Sequence, residues 1–304
     1  MTVTDYLLHV FYLIDSELRA LNLPRLRQRG PSPKLADSEV LTIELAGEFL
    51  GIDTDKGIWR HFRRHHLAEF PRLAEVDRST FARQAAALWH VKQLLHERVL
   101  GLLPLGDPVD GERWWVIDSF PLRVCRLGRA PRCKRFRGIA DYGHDPTMPR
   151  NLYYGLRVHL RASDRGAVAQ VELTRAGEAD VNAAVALSPG EPREPCLADR
   201  NYWHRNAQRL WEWARAGMTV LAAFKKPQTD PDPHRSAILT RLRQTIEPLI
   251  GQLATRFNAE RTWARDVWHL TSRLARKLLS HSVALLLNGR AGNPPLQLDR
   301  LIDD

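Results

Sequence analysis

The sequence predicts an α/β fold with a mixed-sheet catalytic core, an all-α N-terminal region and C-terminal helices. Three observations predict it. Residues 1 to about 100 carry apolar side chains at helical spacing, short β-favouring runs begin after Gly111, and the helical pattern returns from Ser236 to Leu287. The 304 residues divide accordingly into a helical region, 1–105, and an α/β domain, 106–304, with a polar connection over 122–151.

The first helix is expected near Asp5 to Leu21, its inner face Leu7, Phe11, Ile14 and Leu18 with Leu8 beside them. Asp37 reads as the N-cap of a second helix striped by Leu41, Leu45 and Phe49, and Gly51 as its C-terminal stop. A third, near Asp55 to His66, turns Ile58, Trp59 and Phe62 inward and Arg60, Arg63 and Arg64 outward. A fourth runs from Ser79 to roughly Leu100. Short helices with a basic outer face suit a helix-turn-helix-like reader of DNA and equally suit a plain bundle with solvated arginines.

In the α/β domain, Trp114 to Ile117 reads as a buried strand ending at Asp118. Strands follow at Tyr153 to Arg161 and Ala167 to Thr174, then a short helix from Asp180 to Leu187. Pro195 to Ala198 is a strand ending in Asp199. Next come a helix from His204 to Ala216 and a strand from Met218 to Phe224.

Composition narrows the function. With 45 Lys and Arg against 35 Asp and Glu, the net charge is +10, which favours a polyanionic partner, nucleic acid before membrane. No apolar run approaches the ~18 residues of a membrane span, and no secretion signal is evident, so cytoplasmic residence is expected. Three cysteines, Cys125, Cys133 and Cys196, make neither a disulfide framework nor a zinc motif.

Chemistry is expected from three carboxylates. Asp118 and Asp199 each close a short apolar strand, and ligands of open α/β sheets gather at such carboxyl ends. Glu247 lies in the helical segment Leu242 to Leu253, whose Leu242, Ile246 and Leu249 would pack on the sheet. Crowded carboxylates repel one another unless a hard divalent ion joins them. Two such ions, ~3.5–4 Å apart, suit an in-line phosphoryl displacement. Between Arg123 and Arg137 seven basic residues, among them Arg126, Arg129, Arg132, Lys134 and Arg135, follow one another without an acid, as a clamp on backbone phosphates would. Asp180 reads as a helix cap, His159 as a packed residue of a strand, and Trp203 as core.

At these residues the chain resembles the DDE transposases of bacterial insertion sequences, in particular the insertion sequence family nine-eight-two. The resemblance is carried by Asp118-Ser119-Phe120-Pro121, Tyr153 to His159, Asp199-Arg200-Asn201-Tyr202 and Arg241 to Glu247, and upstream by Asp37 to Thr42 and Gly51 to Asp55. It implies an RNase H-like core that cuts transposon ends and joins them to target DNA. Asp118, Asp199 and Glu247 would bind two Mg²⁺ ions, or Mn²⁺, and Arg243 fits the family's pattern around the last acid. The implied partner is double-stranded DNA, as terminal inverted repeats and as target, gripped by a homodimer. An RNase H-like nuclease without strand transfer, and a DNA-binding regulator, are the alternatives.

Overall fold

The computed structural model describes residues 1–24, 32–105, 113–145, 148–187, 194–202, 220–222, 244 and 246–302. The chain forms two compact units, Met1–Leu103 with Leu253–Asp304, and Pro104–Gln252. The last helix, grouped by sequence with the segment after 106, therefore packs with the N-terminal helices.

In the first unit α1 (Val3–Leu21) opens with a capping box, Thr2 Oγ1 accepting from the Asp5 N–H at 3.1 Å and Asp5 accepting from the Thr2 N–H at 3.2 Å. Its buried face is Tyr6, Leu7, Val10, Leu13 and Ile14, which turns Leu8 outward, 46% exposed, contrary to expectation. α2 (Asp37–Phe49) is capped one residue earlier than expected, at Ala36, whose N–H donates to Glu39 at 2.7 Å. Gly51 stops it with φ +77°, where a side chain would be strained. α3 (Asp55–His65) buries Ile58 and Phe62. The expected fourth helix is two, α4 (Arg78–Ala87) and α5 (Trp89–Leu102).

The last long helix, α7 (Val267–Arg290), is buried over most of its length and packs on α2, α4 and α5. Charge is sealed between these helices. Arg276 reaches Glu48 at 2.6 Å, Glu44 at 3.0 Å and Asp55 at 2.7 Å. Lys277 reaches Glu48 at 2.7 Å, and Lys92 reaches Glu44 at 2.6 Å. Burial lowers the pKa of both lysines, while the three carboxylates around Arg276 hold its guanidinium firmly charged.

The second unit is built on a six-stranded mixed sheet. β1 (Trp115–Cys125) pairs antiparallel with β3 (Leu152–Ser163), whose other edge is shared by β2 (Asp141–His144) and β4 (Val168–Arg175). On its other side β1 runs parallel to β5 (Cys196–Ala198), and β5 parallel to β6 (Val220–Ala222). Three antiparallel strands continued by two strands parallel to the first is the RNase H-like order. β2 was not expected from sequence; its residues carry no apolar alternation. At Gly155 a Cβ would lie 2.0 Å from the Leu122 carbonyl oxygen, so only glycine lets β3 approach β1 there.

α6 (Asp180–Ala183) continues into a 3₁₀ turn, and Val181, Ala184 and Leu187 pack against Trp115, Ile117, Cys196, Ala198 and Tyr202 on one face of the sheet. The Trp115 indole donates to Glu194 at 2.6 Å while Arg161 stacks on its ring at 4.2 Å, which pins the start of β1 to the end of β3. Residues 246–255 are helical, with Pro248 among them. The helix expected at His204 to Ala216 lies outside the described residues. Among the described residues no helix is long and apolar enough to cross a membrane.

Candidate active site

Asp118 and Asp199 meet through strand register. β1 and β5 pair in parallel up to Ile117 opposite Ala198, so the next residue on each strand is one of the two aspartates. For Asp199 this is a strand end, as expected. Asp118 is a correction: β1 does not stop there but continues seven residues, to Cys125, paired with β3 alone. Asp118 thus marks the point where the parallel half of the sheet ends and an antiparallel ribbon carries on. The run of β-favouring residues is interrupted by Asp, Ser and Pro, which hid the continuation from sequence.

Neutral donors orient both carboxylates. The Ser119 N–H donates to Asp118 Oδ1 at 2.7 Å. The Asn201 N–H donates to Asp199 Oδ1 at 2.9 Å, and the Asn201 amide to Oδ2 at 3.0 Å. Tyr202, fully buried, lies within the field of Asp180, Asp118 and Asp199; burial first, then these three acids, push its phenol well above the usual range. Its hydroxyl bonds His159 Nδ1 at 3.0 Å, and Thr174 bonds the other ring nitrogen at 2.9 Å. Burial lowers the His159 pKa to about 4, so the ring is neutral at pH 7 and serves as a packed, doubly bonded residue.

Asp180 was misread from sequence. The N-cap of α6 is Ala179, and the Asp180 side chain instead turns to Arg157, whose Nη1 lies 3.1 and 3.3 Å from its two oxygens. Burial, and then Asp199 nearby, raise the pKa of Asp180 while Arg157 opposes the shift. An Asp in a first helical turn looks like a capping residue, and nothing local points to an arginine 23 positions away.

Glu247 is on the helical stretch 246–255 and exposed. Among the described residues no group of three or more acids, histidines or cysteines is arranged to hold a metal ion, and register alone makes neighbours of positions 118 and 199. Arg126, Arg129, Arg132, Lys134 and Arg135 are exposed, and all but Arg126 line a hollow of about 480 Å³ with Cys125 and Cys133. Arg123 differs from them: it is half-buried and bonded to Asp145 at 2.8 Å. In the helical unit Arg60 and Arg64 are exposed, and Arg63 lies over the Trp59 ring at 5.0 Å. Arg243 lies outside the described residues.

Comparison with known proteins gives structural matches and a family match. A piggyBac transposase in a synaptic complex with hairpin DNA aligns with 97% of this chain and 75% of its own, at 9% identity and a TM-score of 0.46. No curated protein matches. Residues 111–267, more than half of the chain, match the model of the transposase DDE domain, and the chain belongs to that family.

Proposed function

We propose that this protein is a DNA transposase that cuts transposon ends and joins them to target DNA by phosphoryl transfer. The observation that carries the reading is the in-register meeting of Asp118 and Asp199 beyond the paired ends of β1 and β5. Two carboxylates side by side, each already oriented by N–H donors, form a hard-oxygen donor set that suits Mg²⁺ or Mn²⁺. Glu247 completes the set in this proposal. Two ions held there would supply activation of the attacking oxygen and stabilisation of the leaving one.

The protein's own part is positioning. The sheet fixes the two aspartates, and the buried Tyr202–His159–Thr174 chain braces the residues behind them. Arg126, Arg129, Arg132, Lys134 and Arg135 would grip backbone phosphates beside the site, with Arg243 near the last acid. Arg60, Arg63 and Arg64 would contact end DNA. The proposal includes terminal inverted repeats as the DNA bound, a homodimer on paired ends, and residence in the cytoplasm of a bacterium, at its nucleoid.

Labelled end DNA, a second duplex and Mg²⁺ test the reading. The unsubstituted protein is expected to cut the end and join it to the second duplex. Asp118→Ala, Asp199→Ala and Glu247→Ala each lose about a thousandfold or more in cleavage while still binding end DNA. Asp141→Ala and Glu172→Ala remain active. Cutting without joining would make the protein a nuclease, and binding without cutting a regulator. An active Glu247→Ala would remove that residue from the site.

A further inference from the structure

Behind the two aspartates runs a continuous set of polar contacts that the reading above does not use. Arg157 stands on β3, on the face it shares with His159, and Ser119 of β1 faces His159 in register. Its Nη1 contacts both oxygens of Asp180 and approaches Ser119 Oγ at 3.5 Å; its Nη2 donates to the His144 carbonyl at 2.9 Å. One guanidinium therefore ties β1, at the residue after Asp118, to β2 and α6. Asn201 helps to keep the Asp180 carboxylate charged, and it donates to both oxygens of Asp199, its backbone N–H at 2.9 Å and its amide at 3.0 Å. The order of contacts is Ser119, Arg157, Asp180, Asn201, Asp199, and the Asp180 carboxylate at its centre is buried, 6% exposed.

We propose that Arg157 and Asp180 are a positioning pair that sets the separation of the Asp118 and Asp199 carboxylates. The inference rests on the reading of those two acids as metal ligands. The pair is neutral overall, so it adds no charge that would compete for or repel a cation. A carboxylate whose two oxygens share one guanidinium nitrogen has little rotational freedom, and through Asn201 that rigidity passes to Asp199. Without the pair, the bonds along α6 and the start of the turn after β5 lose their common anchor, and the two carboxylates can drift apart. Asp180 is a positioning residue here, not a ligand.

Mn²⁺ titration of the full chain, in the absence of DNA, separates the possibilities. Asp180→Asn and Arg157→Gln are each expected to weaken Mn²⁺ binding about 10- to 100-fold, the usual effect of losing an outer support. The double variant should lose little more than the worse single one, because the two side chains act as a unit. Asp180→Glu, which keeps the charge for Arg157, should recover part of the affinity. In cleavage, kcat falls while the KM for end DNA holds. Amide hydrogen exchange in β1, β3 and β5 checks that each variant is folded. If Arg157→Gln tightens Mn²⁺ binding while Asp180→Asn weakens it, Asp180 is itself a ligand and the proposal is wrong. Unchanged affinity in folded Asp180→Asn overturns it too. Failure of the underlying reading looks different: the unsubstituted protein would then show no Mn²⁺ site that Asp118→Ala removes.

Discussion

Each of the two units gathers acidic side chains away from water, but they hold them differently. In the helical unit Glu44, Glu48 and Asp55 are met by full positive charges, Lys92, Arg273, Arg276 and Lys277, at 2.6–3.0 Å. In the α/β unit Asp118 and Asp199 accept from neutral N–H groups, and Arg157 is directed to Asp180. Cations neutralise an acid and make it part of the scaffold; dipoles orient it and leave its charge in place. Oriented acids beside the ends of paired strands are the arrangement expected where a cation is to bind.

The largest effect that could break this comparison is in the helical unit. Arg276→Met leaves Glu44 and Glu48 with one fewer cation in a sealed site, which should destabilise that unit by about 3–5 kcal/mol. Amide exchange would show it as faster opening of α2 and α7. A change below about 1 kcal/mol would mean that the ion network is incidental to stability.

The second effect is on pH. His159 is neutral in the fold, with a pKa of about 4 against 6.5 when unfolded, so the unfolded state takes up its proton first as pH falls. Stability is fully present above pH 6.5 and declines toward pH 4, by about 2 kcal/mol at pH 5. His159→Gln should flatten this decline in the sheet's amide exchange. A decline unaltered by that substitution would assign the acid sensitivity to other groups.

The smallest effect sharpens the comparison most. Asp118→Asn or Asp199→Asn should stabilise the α/β unit by about 0.5–1 kcal/mol while abolishing cleavage, as substitutions at active-site acids often do. Destabilisation by either would place these acids among structural groups, like those of the helical unit.

Much of the frame was legible in the sequence because it rests on local rules. The helical stripe of Leu41, Leu45 and Phe49, the glycine stop at Gly51 and the short strand before Asp199 all depend on neighbours within a few residues. What was missed depends on partners far along the chain. Glu44 and Glu48 lie on a helix that is buried on all sides because α7 covers it, and the stripe of Leu41, Leu45 and Phe49 gives no sign of that. Asp180 read as a cap for the same reason, its arginine being on a different strand. A usable signal did exist for α7: a run from Val283 to Leu287 that is apolar all round marks a helix without a solvent face, so its charged residues must find partners inside.

The divided helical unit has a consequence for the order in which the chain can mature. Glu48 emerges from the ribosome 228 residues before Arg276, its buried partner. At roughly 5–20 residues per second, that interval is about 10–45 s. During it α1 to α5 exist as a bundle whose central acids still need water, while the whole intervening sheet is synthesised and free to fold. The helical unit can therefore close only after the sheet has been made, when α7 delivers Arg276 and Lys277 and expels that water. Nascent chains arrested before Val267 should accordingly protect the sheet from protease and leave α2 open to it.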